Sequence, residues 1–126
     1  IAKLSFDQGA DQFLIVSALG ADPDSSIFYN RVKGELEEAI TQIGFQGLHI
    51  FRPSLLLGER LERRLTEEIG QKIFQWLSFG FKGVLKKYKA IEGRAVAAAM
   101  VEIAKGKGRG KQILESHQIQ SIYDKR

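Results

Sequence analysis

The sequence predicts an α/β fold in which parallel strands are joined by helical crossovers. Short apolar runs alternate along the chain with longer segments whose apolar residues recur at helical spacing, and this alternation is typical of strand–helix–strand units. The first run, Phe13–Val16, is apolar at consecutive positions, as expected for a parallel strand covered on both faces. At 126 residues and 44% hydrophobic content, the chain is long enough to bury a single core.

The first half of the chain is predicted to contain two helices and two strands. A helix over Ile1–Gln8 ends at Gly9, because glycine commonly follows the last turn of a helix. The same signal at Gly44 ends a second, longer helix. The remaining predicted elements here are a strand over Gln12–Ser17, a loop over Leu19–Ser26, the long helix over Ile27–Ile43 and a strand over Leu48–Arg52.

The long helix is predicted to bury an apolar stripe and to expose its acidic residues, because its apolar positions recur at helical spacing. Glu35, Glu37 and Glu38 are expected to face water. The residues expected to be buried are Ile27, Val32, Leu36, Ala39, Ile40 and Ile43.

The second half of the chain continues the alternation. Gly93–Lys105 is alanine-rich and predicts a helix that packs closely on a sheet. The other predicted elements are an apolar loop from Pro53 to Gly58, a helix over Glu59–Leu77, an irregular segment over Phe79–Lys89, a strand over Gln112–Glu115 and a terminal helical turn over His117–Tyr123.

Tyr29, Lys33 and Ser17 are the strongest candidates for chemistry. Tyr29 and Lys33 are four residues apart on the predicted long helix and so project from the same face. A phenol can exchange a proton, and a neighbouring ammonium stabilises its anion, which carbonyl reduction or alcohol oxidation needs. Ser17, at the carboxyl end of a predicted strand, could donate a second hydrogen bond to the same oxygen. A tyrosine and a lysine at this spacing also occur on ordinary surface helices, and the upstream strand that ends in serine strengthens the catalytic interpretation.

Four segments, in this order, resemble the short-chain dehydrogenase/reductase superfamily. They are Phe13–Gly20, Tyr29–Glu35, Phe51–Gly58 and Tyr88–Ala97, and they span most of the chain. The resemblance is to small atypical members, in the Tat-interacting oxidoreductase-like and nucleoside-diphosphate-sugar epimerase-like group. It implies a doubly wound, parallel, Rossmann-like sheet with flanking helices.

The resemblance also implies roles for individual residues. Ser17, Tyr29 and Lys33 would be the catalytic set, with Tyr29 as proton donor or acceptor. Lys33 would also hydrogen-bond the nicotinamide ribose, and Pro53 and Ser54 would line the nicotinamide pocket. The cofactor would be NAD or, with a slight preference, NADP, and the substrate a small carbonyl or alcohol compound. The implied function is an NAD(P)-dependent oxidoreductase or epimerase; the alternative is a non-catalytic NAD(P)-sensing or protein-interaction module.

The chain departs from this family in its glycine pattern. No G-x-x-G-x-x-G or G-x-G-x-x-G segment is present, although the family uses such a turn to receive the cofactor pyrophosphate at a helix N-terminus. We therefore expect a single carboxyl-terminal portion of a Rossmann-like domain, inactive alone, whose amino-terminal dinucleotide-binding half is missing. Within it, residues 12–53 would form the catalytic strand–helix–strand unit and residues 54–126 the substrate-side and closing elements.

Composition limits the other function classes. The chain has no cysteine, which excludes disulfides and thiolate metal sites and is compatible with a reducing compartment, so we expect a cytoplasmic protein. Its two histidines are far apart in sequence, so no metal site is predicted. No apolar run approaches the roughly 20 residues of a membrane helix, and no secretory leader is recognisable. Homo-oligomerisation is left open.

Two basic segments allow binding of anions. Lys105–Lys111 alternates cations with glycines, and the net charge is +4, which would favour a polyanion. No aromatic residues interleave with these charges, so a solvated connection is the better interpretation and nucleic acid is not an expected partner. A second cluster, Lys82, Lys86, Lys87 and Lys89, could attract the 2′-phosphate of NADP, although a solvated face explains it more simply.

Overall fold

The computed structural model describes residues 1–54, 56–57 and 91–126, with residues 56–57 described by their backbone. Helices and strands alternate through these residues, which confirms the predicted α/β fold. In chain order the elements are α1 Ala2–Asp7, β1 Gln12–Val16, α2 Phe28–Ile43, β2 Gly47–Arg52, β3 Leu56–Leu57, β4 Ile91–Glu92, α3 Gly93–Lys105, β5 Gly110–Glu115 and α4 Ser116–Asp124.

The main sheet of the described chain is parallel, with the strand order β1–β2–β5. Its register places Ile50 of β2 between Ile15 of β1 and Ile113 of β5. Among the described strands β1 pairs only with β2, so β1 forms an edge of this sheet. All three strands run in the same direction, and the residues that follow them therefore meet at one end of the sheet, the carboxyl edge.

Apolar side chains cover both faces of the sheet. On one face Phe51, Leu114 and the alanine-rich side of α3 form a buried cluster with Ile119 of α4. On the other face Leu48 and Ile50 pack with Ile40 of α2. Within β1, Phe13 and Ile15 join the second cluster and Leu14 and Val16 the first, which agrees with the prediction that both sides of this strand are covered.

The predicted buried stripe of α2 is wrong in most of its members. Ile27, Val32 and Leu36 are 59%, 42% and 37% exposed, whereas Gly34, Glu37 and Ile40 are buried. The prediction that Glu37 faces water is also wrong, since this residue is buried. Glu35 and Glu38 are exposed as predicted. The physical reason is that α2 approaches its neighbours through the small Gly34 and neutralises Glu37 with a cation from β2, Arg52.

The predicted boundaries are close to the observed ones. The glycines predicted to end α1 and α2, Gly9 and Gly44, follow these helices with positive φ values of +98° and +96°. The prediction for α3 is confirmed residue for residue, whereas β5 begins two residues earlier than predicted and α4 is longer. The strands β3 and β4 form a short parallel pair that was not predicted, because two residues are too few to show a periodic pattern.

Three predictions fall outside the described residues. They are the helix over Glu59–Leu77, the irregular segment over Phe79–Lys89 and the basic cluster of Lys82, Lys86, Lys87 and Lys89.

Candidate active site at the carboxyl edge of the sheet

Ser17 directly follows β1 and lies at the carboxyl edge. Its backbone N–H donates to the carbonyl of Phe51 at 2.7 Å, which fixes it beside the end of β2. The residue is 4% exposed, and its Oγ has no hydrogen-bond partner among the described residues. Burying a hydroxyl without a partner costs on the order of 1–3 kcal/mol, so this atom is a candidate for contact with a ligand.

The loop that follows Ser17 is held against α2. The backbone N–H of Asp22 donates to the carbonyl of Asn30 at 3.0 Å. A Cβ at Gly34 would overlap the backbone of Asp22 and Pro23, so the loop crosses α2 where only glycine allows such an approach. After Ser17 the chain therefore runs back to α2 and contacts it at the helical turn that contains Lys33.

Tyr29 and Lys33 lie next to each other on α2, as their spacing predicts. The Lys33 Nζ is 5.8 Å from the centroid of the Tyr29 ring, within the range in which an ammonium and an aromatic ring attract each other. Lys33 is half-buried, whereas Tyr29 is 58% exposed. The described residues thus place the cation beside the phenol but leave much of the phenol accessible.

Pro53 and Ser54 follow β2 at the same edge. Pro53 is buried, and its carbonyl accepts a hydrogen bond from the N–H of Leu19 at 3.2 Å. The Ser54 N–H donates to Oγ of Ser116 at 2.9 Å, and the two hydroxyls are 3.1 Å apart. Ser116 is the first residue of α4 and is 4% exposed. It was missed by the sequence reasoning, although its position directly after a parallel strand could have indicated it.

Glu37 and Arg52 form a second feature that the sequence reasoning missed. The Arg52 Nε donates to Glu37 Oε1 at 2.9 Å, and Nη2 donates to the other carboxylate oxygen. The hydrogen bond to Glu37, together with the negative charges of Glu37 and Glu115, raises the pKa of Arg52 against the opposing effect of burial. The guanidinium therefore keeps its charge at the end of β2. No local sequence pattern indicated this pair, because Glu37 and Arg52 lie on different elements.

A nicotinamide cofactor fits the chemistry of this edge. In open α/β sheets, ligands bind outside the carboxyl ends of the strands, where Ser17, Pro53 and Ser54 lie. Ser17 offers a buried hydroxyl without a partner among the described residues, and Lys33 offers a cation. These groups suit a substrate oxygen and a ribose hydroxyl. The catalytic and cofactor-binding roles of Ser17, Tyr29, Lys33, Pro53 and Ser54 remain predictions.

Other kinds of site find little support in the described part of the chain. No group of three His, Asp or Glu side chains there is arranged to hold a metal ion. His49 is buried and bonded through both ring nitrogens, to Gln12 at 3.0 Å and to Gln112 at 3.1 Å. No described helix has the length and apolar character to cross a membrane.

Comparison with known proteins reveals clear similarity to two sets of curated proteins. The chain is 37% identical over 105 residues to the mitochondrial protein FMP52 of Debaryomyces hansenii, which covers 82% of this chain and 45% of that protein. It is 40% identical over 73 residues to protein HTATIP2 of Rattus norvegicus, covering 58% of this chain and 30% of the relative. No family model matches the chain. These similarities agree with the resemblance to the short-chain dehydrogenase/reductase superfamily that the sequence motifs indicate.

The relatives are longer than this chain, and several of them carry a cellular location in their names. The chain spans less than half the length of the curated relatives it matches. Several relatives, including those of Emericella nidulans and Candida albicans, are named as mitochondrial proteins. The expectation of a cytoplasmic protein is therefore wrong; it depended on the absence of cysteine, which shows only compatibility with a reducing environment.

Proposed function

We propose that these residues form the catalytic side of an NAD(P)-dependent oxidoreductase of the short-chain type, acting on a small carbonyl or alcohol compound. The observation that carries the proposal is the Ser17 hydroxyl, which is buried and has no partner among the described residues. The loop that leaves Ser17 contacts α2 beside Lys33. A substrate oxygen between Ser17 and Tyr29 would give the buried hydroxyl a partner and the phenol a proton acceptor.

In this mechanism the chain's own residues handle the proton and the oxygen. In the reducing direction, Ser17 donates a hydrogen bond to the substrate carbonyl oxygen and orients it. Tyr29 gives its phenolic proton to that oxygen as the carbonyl carbon becomes an alcohol carbon. Lys33, whose ammonium lies beside the ring, stabilises the phenolate that remains. A dinucleotide held at this edge would supply the hydride for the carbonyl carbon, and in the oxidising direction Tyr29 would take the proton back from the alcohol. In an epimerase, the hydride would return to the same substrate.

Lys33 and the turn after β2 would hold the nicotinamide end of the cofactor. Lys33 would bond the ribose, and Pro53 with Ser54 would line the ring pocket. The pyrophosphate would need a glycine-rich turn at a helix N-terminus, which the 126 residues do not contain. We accordingly assign the intact protein, and not residues 1–126 alone, as the active species.

A direct assay tests this function. The intact protein is mixed with NADPH or NADH and a panel of aldehydes and ketones, and absorbance at the reduced-nicotinamide band is followed. The proposal expects substrate-dependent oxidation of one dinucleotide. Absence of turnover across the panel together with absence of dinucleotide binding would contradict it.

The second candidate is an NAD(P)-sensing or protein-interaction module on the same scaffold. The observation that favours it is the exposure of Tyr29, at 58%, because a catalytic phenol works best in a site from which water is excluded. Tight dinucleotide binding without turnover in the assay above would select this candidate. Both candidates place the dinucleotide at the carboxyl edge.

We also propose a mitochondrial location for the intact protein, on the strength of the names of its relatives. Cell fractionation with antibodies against the intact protein tests this. Recovery with mitochondrial markers is expected, and recovery only with soluble cytoplasmic markers would contradict it.

A further inference from the structure

Glu37 and Arg52 join α2 to the end of β2 through a buried, two-point ion pair. Glu37 retains 6% of its side-chain exposure and Arg52 23%. Both carboxylate oxygens accept from the guanidinium, at Nε and Nη2. Because the guanidinium is planar and its donors are fixed, such a pair sets direction as well as distance between the two elements. A hydrophobic contact restricts neither the direction nor the distance as closely.

The pair lies on the same side of α2 as the proposed proton donor and cation. Tyr29, Lys33 and Glu37 follow one another at four-residue intervals, so they rise along one face of the helix. Gly34 and Ile40, which flank Glu37 on the helix surface, are buried. Fixing Glu37 therefore fixes the rotation of α2 about its axis, and with it the direction in which Lys33 projects.

At its other end, the pair is attached to the segment that holds Ser17. The carbonyls of Phe51 and Pro53, on either side of Arg52, accept hydrogen bonds from Ser17 N and Leu19 N respectively. Arg52 is thus the residue between the two backbone bonds that hold the region around Ser17. This ion pair therefore connects the helix carrying Tyr29 and Lys33 to the strand end that positions Ser17.

We infer that Glu37 and Arg52 are positioning residues, which hold α2 in the orientation that brings Tyr29 and Lys33 to the Ser17 hydroxyl. The inference rests on the proposed function, since it concerns the same site. Stability alone does not account for the pair: buried ion pairs can often be replaced by apolar residues of similar volume without loss of stability. Such a replacement removes the defined orientation of α2 relative to the end of β2. A displacement of catalytic groups by about 1 Å can lower a rate about 100-fold.

The decisive variant is the double substitution Glu37→Leu/Arg52→Met in the intact protein. We expect its melting temperature to equal or exceed that of the parent, while turnover falls at least about 10-fold and dinucleotide affinity changes much less. Glu38→Gln is the matched control, because Glu38 is the exposed neighbour on the same helix, and it should leave turnover unchanged. Parent-like turnover in a stable double variant would overturn the inference.

Two further measurements keep the test independent of folding and of the proposed function. Glu37→Asp keeps the charge but shortens the side chain by one methylene, and it should lower turnover with little loss of melting temperature. Crystal structures of parent and double variant give the separation of Ser17 Oγ and Tyr29 Oη directly, whether or not the parent turns over a substrate. A change of about 1 Å or more is expected, and an unmoved α2 would overturn the inference. Parent inactivity with a displaced α2 would instead count against the proposed reaction alone.

Discussion

Two buried polar side chains at opposite ends of the main sheet differ in their hydrogen bonding. Near the amino ends of the strands, His49 is 3% exposed and both its ring nitrogens are bonded, to Gln12 and Gln112. At the carboxyl edge, Ser17 is 4% exposed and its Oγ has no partner among the described residues. Burial is the same and hydrogen bonding differs. The satisfied histidine is a structural group, and the unsatisfied serine is the one to test for function.

The substitution expected to have the largest effect on stability acts on the carboxyl edge through its backbone contacts. Gly34→Ala adds a Cβ that overlaps the backbone of Asp22 and Pro23, so the loop after Ser17 must move. We expect a loss of about 3 kcal/mol of unfolding free energy, measured by urea unfolding of the intact protein. Gly106→Ala, at a residue with φ −79° where a Cβ would make only an ordinary van der Waals contact with the Ile103 carbonyl oxygen at 3.5 Å, is the control and should change stability by less than about 0.5 kcal/mol. Equal effects of the two substitutions would show that the approach at Gly34 is not tight.

Disrupting the amino-side network should reduce stability and leave chemistry intact. His49→Leu removes both hydrogen bonds of the imidazole, although Gln12 Nε2 keeps its bonds to the carbonyls of Ile103 and Gly106. We expect a loss of about 2 kcal/mol of unfolding free energy with any turnover of the folded protein unchanged, compared by thermal unfolding and by assay. His117→Leu, at the exposed histidine of α4, is the control. A turnover defect in folded His49→Leu would mean that the amino-side network also serves the site.

Removing the Ser17 hydroxyl should have the smallest effect on stability, and the effect should have the opposite sign. Ser17→Ala deletes a buried polar atom whose described surroundings offer no partner, so the unfolding free energy should rise by about 1 kcal/mol. Turnover should fall, because the substrate oxygen loses a donor. Denaturation and assay of the same preparation check both effects. A destabilised Ser17→Ala protein would show that the hydroxyl has a structural partner.

Features set by the local sequence could be predicted for this molecule, whereas contacts between distant elements largely could not. The proximity of Tyr29 and Lys33 follows from one helical turn, and the ends of α1 and α2 follow from glycines, so both could be predicted. The partner of Glu37 could not, because Arg52 lies on a different element and a carboxylate on a helix is normally exposed. That the Ser17 hydroxyl finds no partner among the described residues depends on several elements at once, and this has no signature in the sequence.

The proposed reaction depends most on Tyr29, the group that would exchange the proton. Tyr29→Phe in the intact protein removes one oxygen and keeps the ring beside Lys33, while Tyr123→Phe on α4 serves as the matched control. We expect turnover to fall by at least about 100-fold in Tyr29→Phe, with dinucleotide binding retained, and Tyr123→Phe to keep the parent's activity. Parent-like turnover in Tyr29→Phe would contradict the proposed reaction.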